Sequence, residues 1–154
     1  MLADPLGAVH LASGYAALVL GGTVALMRKG TPRHRWVGRG FALTMVVLNA
    51  TALAIYDLTG RVNLFHFFAV ISLASLAAGW IAARRRGPVA REVHARSMMW
   101  SYVGLLAAAA SEFIVRVPGV VTSWLGFGVA VGLATTLVCT VGAVIIERTV
   151  ARIR

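Results

Sequence analysis

Five long apolar stretches, Ala8–Met27, Gly40–Tyr56, Val62–Ala83, Ser97–Val115 and Val117–Ile146, leave this chain few folds to choose from. Each meets or approaches the roughly 20 residues that carry an α-helix across hydrocarbon, and Glu112 is the only formal charge inside any of them. No water reaches the bilayer core, so each backbone amide there must find its partner within the segment, which selects helices. At 59% hydrophobic and 13% charged residues, the 154-residue chain has the composition of a membrane protein and not of a soluble domain. The expectation is an all-α integral membrane helical bundle, a single transmembrane domain with spans at about residues 8–27, 34–57, 62–83, 94–116 and 119–146.

The net charge of +10 invites a nucleic-acid reading, but the placement of the charge opposes it. Arg28, Lys29, Arg33, Arg35 and Arg39 fill the first loop and its flank. Arg84, Arg85, Arg86, Arg91 and Arg96 fill the third, and Arg148, Arg152 and Arg154 close the chain. Only Arg61 and Arg116 of the 15 basic residues remain for the opposite side. Basic residues collect on the cytoplasmic side, which predicts an N-terminus outside, a C-terminus inside, and anionic headgroups as the partner of the inner charge. Asp4 stands where a cleavable signal would carry basic residues, so the first span reads as an anchor. Cys139, alone in the last span, excludes an internal disulfide.

The chain's four histidines, His10, His34, His66 and His94, fall one to each of the first four spans, near the N-terminal end of each. The linkers RKGTPRH and RRRGPVAREVH share a basic run, a glycine, a proline and then the histidine. This reads as a tandem repeat of two helix pairs, giving a four-helix core with the fifth helix outside it. Such units are related by an axis along the membrane normal, making His10 equivalent to His66 on the outer side and His34 to His94 on the inner side. Two equivalent imidazoles facing one axis form bis-histidine haem geometry, and one or two b-type haems are expected. Gly14 and Gly38, each four residues after a histidine, would leave room for a porphyrin edge, although Met98 takes the place corresponding to Gly38. Arg35, Arg39 and Arg96 inside, and Arg61 and Arg116 outside, suit propionates.

Other readings of the same residues stay open. His10, His66, Asp57 and Glu112 all end near the outer surface and offer nitrogen and oxygen donors of the kind zinc or a proton relay uses. Histidines near a membrane surface are also often only hydrated or bonded to headgroups. Glu112 and Arg116, four apart in the favourable order, equally form a structural ion pair. The stripe His10, Gly14, Ala17 and Gly21 fits a close helix neighbour as well as a flat ligand. Phe65, Phe67 and Phe68 suit an interfacial belt or the wall of a planar group, and Asn49 and Thr51 suit inter-helix hydrogen bonds. In the fourth span His94, Met98, Ser101, Leu105, Ala108 and Glu112 share one helical face, whose polar ends favour the bundle interior. Gly128 and Gly132 form a GxxxG spacing that serves packing within the bundle or a homo-oligomer. No nucleophile with an adjoining base and no phosphate-cradling loop is present, so an electron carrier or redox subunit is expected before a stand-alone enzyme. A subunit whose polar groups only hold helices together is the remaining alternative.

KGTPRHRWVGRGF, an FH pair opening the third span, and HARSMMWSYVGLLAAAASEFIVR together resemble a family of small bacterial membrane proteins catalogued as a domain of unknown function. The resemblance covers roughly Ala8 to Arg116 and implies a multi-span helical protein of a bacterial inner membrane without bringing an activity. The histidine pattern is more loosely similar to the two-haem transmembrane b-type cytochromes of the ascorbate-reducible kind. In those proteins four histidines on four consecutive helices pair between alternate helices, one haem near each face. The resemblance implies His10 with His66, His34 with His94, and a redox partner or quinone. This chain differs in having five spans instead of six, shorter spacings, and His34 close to the surface.

Overall fold

A computed structural model of the chain describes residues 4–56, 60 and 62–152. Five helices follow one another, α1 (Pro5–Leu26), α2 (Pro32–Ala54), α3 (Leu64–Ala83), α4 (Pro88–Val115) and α5 (Trp124–Ala151). All five are long and apolar enough to cross a membrane. The described residues contain no strand, as expected of an all-α membrane chain.

Local chemistry sets the helix starts. Asp4 caps α1 by accepting from the Leu6 amide at 3.3 Å, and Thr31 caps α2 by accepting from the His34 amide at 3.1 Å. Asn63 accepts from the Phe65 amide at 2.9 Å, and Ser123 from the Gly126 amide at 3.1 Å. These bonds satisfy amides that have no partner in the first turn of a helix. Pro5, Pro32 and Pro88 stand in first turns, where a missing amide hydrogen costs nothing. Gly30 turns the chain between α1 and α2 at φ +78°, a left-handed conformation that suits glycine. Lys29 folds back on the end of α1 and donates to the carbonyls of Val24 and Ala25 at 2.6 and 2.7 Å.

The fifth helix departs from its expected limits of 119 and 146. Gly119, at φ +81°, and the Val120 amide, bonded to the Val117 carbonyl, hold a turn there. The helix therefore starts beyond the Ser123 cap, and it continues through Glu147 and Arg148 to Ala151. Hydropathy stops at the first charge, whereas the backbone has no reason to do so.

The chain divides into two compact units, Met1–Ala77 and Ala78–Arg154. In the first, α1 and α2 run antiparallel, with His10 beside Thr51, Gly14 beside Leu48 and Leu20 beside Gly40. A Cβ at Gly14 would lie 3.4 Å from Leu48 Cδ1, and one at Gly40 would lie 3.4 Å from Leu20 Cδ1. Each glycine thus receives a leucine from the facing helix, and buried Ala17 and Gly21 continue the narrow face of α1. Among lipid-exposed helices such close packing replaces the hydrophobic drive that water would supply. Asn49, buried on α2, donates from Nδ2 to the Met45 carbonyl at 2.7 Å and to Ser72 Oγ on α3 at 3.2 Å.

In the second unit α4 and α5 run antiparallel. At one end the Arg96 guanidinium pairs with both carboxylate oxygens of Glu147, its NH2 lying 3.0 Å from Oε2, and Nε lies 3.3 Å from Glu92 Oε1. Val103, Ile146 and Val150 form a buried apolar cluster. Further along, Ser111 and Thr135 hydroxyls meet at 3.4 Å. Gly142 sits directly against Val103, where a Cβ would fall 2.6 Å from both methyl carbons and 3.2 Å from Cβ. Gly128 and Gly132, by contrast, have no side chain within 4 Å of the position a Cβ would take. The tight glycine contact of this helix is thus Gly142, not the GxxxG pair.

Replacing Gly142 with Ala should therefore cost about 1–3 kcal/mol, the usual range for overpacking a filled interface, and Val103→Ala in the same chain should restore part of it. Gly132→Ala should leave stability unchanged. Thermal unfolding of the four proteins in one detergent checks this, and equal losses at Gly132 and Gly142 would contradict the packing described.

Candidate functional site

Three of the four histidines share one arrangement. Each has ring Nδ1 hydrogen-bonded to a group of the protein, and at His94 that partner fixes where the proton sits.

His10, on the second turn of α1, lies with Nδ1 2.9 Å from Thr51 Oγ1 on α2. The Thr51 hydroxyl has one hydrogen, and it lies 2.9 Å from the carbonyls of both Val47 and Leu48, to which it donates. Thr51 Oγ1 and the ring Nδ1 share their contact, and which of them donates follows the tautomer of His10. On a neutral ring with Nδ1–H, Nε2 keeps a bare lone pair.

His66 is the most enclosed of the four, 4% exposed, in the first turn of α3. Its Nδ1 lies 3.2 Å from Oδ1 of Asn63, the residue that caps the same helix. The backbone N–H of Asn63 donates to the same Nδ1 at 3.4 Å, so this ring nitrogen meets both the backbone and the side chain of the capping residue. Tyr56 packs on the imidazole with ring centroids 4.7 Å apart. The far nitrogen, Nε2, is buried and has no hydrogen-bond partner. An uncompensated polar atom of this kind is rare in folded proteins and calls for an explanation.

His94, in the second unit, places Nδ1 2.8 Å from the Gly79 carbonyl near the end of α3. A carbonyl only accepts, so this ring carries its proton on Nδ1. The absence of a side chain at Gly79 permits the approach: a Cβ there would lie 2.7 Å from Met98 Sδ and 3.2 Å from Ser97 Cβ. His34 follows Pro32 by two residues, whereas His94 follows Pro88 by six. The second linker thus carries one extra helical turn, which keeps the histidine on nearly the same face but about 6 Å further along its helix. Thr51, Asn63 and Gly79 were not marked as histidine partners by the sequence. Only Asn63, three residues before His66 at a helix start, left a local signal.

The remaining candidates have other uses. Arg96 is engaged by Glu92 and Glu147, and Arg116 by Glu112, the ion pair that the i, i+4 spacing allows. Arg39 lies over the Trp36 ring at 5.1 Å, and Arg35 is exposed. Gly14 is filled by Leu48, the close-neighbour use of the small-residue stripe, while a Cβ at Gly38 would meet nothing within 4 Å. Among the described residues no three His, Cys, Asp or Glu side chains gather as a metal site would require. Asp57, the fourth member of the outer cluster expected from the sequence, and Arg61 lie outside the described residues.

No curated protein and no solved structure matches the chain. A family model described as "Predicted membrane protein (DUF2306)" matches residues 7–153, a span that takes in all five helices almost entirely and all four histidines. The chain therefore belongs to the DUF2306 family of membrane proteins.

Proposed function

We propose that the protein is a b-type haem electron carrier of the bacterial inner membrane, with imidazole Nε2 atoms as axial ligands. The observation that carries this reading is the shared setting of His10, His66 and His94: each has Nδ1 hydrogen-bonded to the protein, so that Nε2 is the nitrogen left for a metal. Metal-ligating histidines are held in this way, because a hydrogen bond at the second ring nitrogen fixes the tautomer and makes the ligand more basic. The buried Nε2 of His66, with no hydrogen-bond partner, has the chemistry of an axial ligand. In this reading His10 and His66 serve one haem.

Haem supplies a one-electron couple in a medium too apolar for a free charge. The protein's residues supply the rest. Thr51 and Asn63 keep the imidazoles oriented, and Tyr56 covers one face of His66. The apolar spans exclude water, which disfavours the more highly charged oxidation state. The zinc-type alternative gains no support from Glu112, whose carboxylate is paired with Arg116.

Expressed with haem precursor and purified in detergent, the chain should show a sharp reduced b-type absorbance band with dithionite. His66→Ala should remove the band assigned to that haem, whereas an unchanged spectrum would remove His66 from the ligand set. Thr51→Val keeps the shape of the side chain and deletes the hydrogen-bond partner of His10. It should weaken haem retention on the order of 10–100-fold, the usual cost of losing such a supporting bond, as measured by haem transfer to apomyoglobin.

A further inference from the structure

The first unit concentrates positive charge at one end of its helix pair. Between Pro5 and Tyr56 the sequence contains no aspartate or glutamate, yet Arg28, Lys29, Arg33, Arg35 and Arg39 cluster where α1 turns into α2. Asp4 stands at the opposite end of α1, about 33 Å away along a helix of 22 residues. Lys29 uses its ammonium to bond the Val24 and Ala25 carbonyls. The four arginines are exposed, and Trp36, 70% exposed, projects beside them with the Arg39 guanidinium over its ring. In the second unit, by contrast, Arg96 has two carboxylates of its own.

A tryptophan that keeps most of its ring outside the protein fold, at the end of an apolar helix and beside guanidinium groups, has the chemistry of the headgroup boundary. There its ring meets acyl chains and its indole N–H meets polar groups. Phosphates are the planar-fork partners that arginine prefers, and the surface attraction of each basic residue for anionic lipid is worth a severalfold change in occupancy.

We propose that the α1–α2 turn is a docking surface for anionic phospholipid headgroups, with Arg33, Arg35 and Arg39 meeting the phosphate and Trp36 seated against the adjoining glycerol and acyl region. The lipid supplies negative charge to the turn between Pro5 and Tyr56, a stretch without aspartate or glutamate, and it anchors the end of the helix pair that carries His34. The proposal stands apart from haem binding.

The test uses the full chain in detergent with equimolar phosphatidylglycerol and phosphatidylcholine added, followed by native mass spectrometry of retained lipid. The unaltered chain should retain phosphatidylglycerol in preference to phosphatidylcholine. The triple variant R33Q/R35Q/R39Q should lose at least about fivefold of that preference. The charge-keeping variant R33K/R35K/R39K should retain most of it, and circular dichroism of all three should agree, since the residues are exposed. Equal retention of both lipids by the unaltered chain would overturn the proposal. Undiminished retention by the glutamine variant would do the same, as expected if the arginines meet an acidic protein instead.

Discussion

A polar atom inside a bilayer has no water to turn to, and every part of this structure answers to that constraint. The backbone meets it by closing into helices, and Asp4, Thr31, Asn63 and Ser123 cap the first amides of α1, α2, α3 and α5. Asn49 meets it with a carbonyl and a serine hydroxyl, and Ser111 with Thr135. The imidazoles of His10, His66 and His94 meet it at Nδ1, through Thr51, Asn63 and the Gly79 carbonyl.

The same constraint explains how the helices come together. Lipid chains are as apolar as leucine, so association rests on close contact and polar bonds instead of on escape from water. Leu48 over Gly14, Leu20 over Gly40 and Val103 over Gly142 are such contacts, each one side chain set against a bare backbone. In the second unit the Arg96–Glu147 pair adds a charged clasp at the helix end, where headgroups and water keep its desolvation cost low.

Much of this was legible in the sequence. Apolar length announced the helices. The i, i+4 spacing of Glu112 and Arg116 announced their ion pair. Other features were hidden for physical reasons. The GxxxG spacing on α5 is a local pattern, but which glycine receives a neighbour depends on the facing helix, and that neighbour is Val103 at Gly142. The bond from His94 to Gly79 uses a backbone carbonyl, which every residue possesses and no residue type advertises. The Arg96–Glu147 pair joins residues 51 apart in the chain, and Glu147 had marked only where the apolar run stopped. The histidines themselves stood out by their placement, while their partners Thr51, Asn63 and Gly79 emerged only from the fold.

The central claim is that the Nε2 lone pairs bind haem iron in pairs. Low-temperature electron paramagnetic resonance of the oxidised full chain, purified after growth with haem precursor, tests it most directly, because the ferric spin state reports the axial ligands. The account predicts a low-spin signal of the bis-imidazole type. A high-spin ferric signal, or a folded protein that takes up no haem, would contradict it.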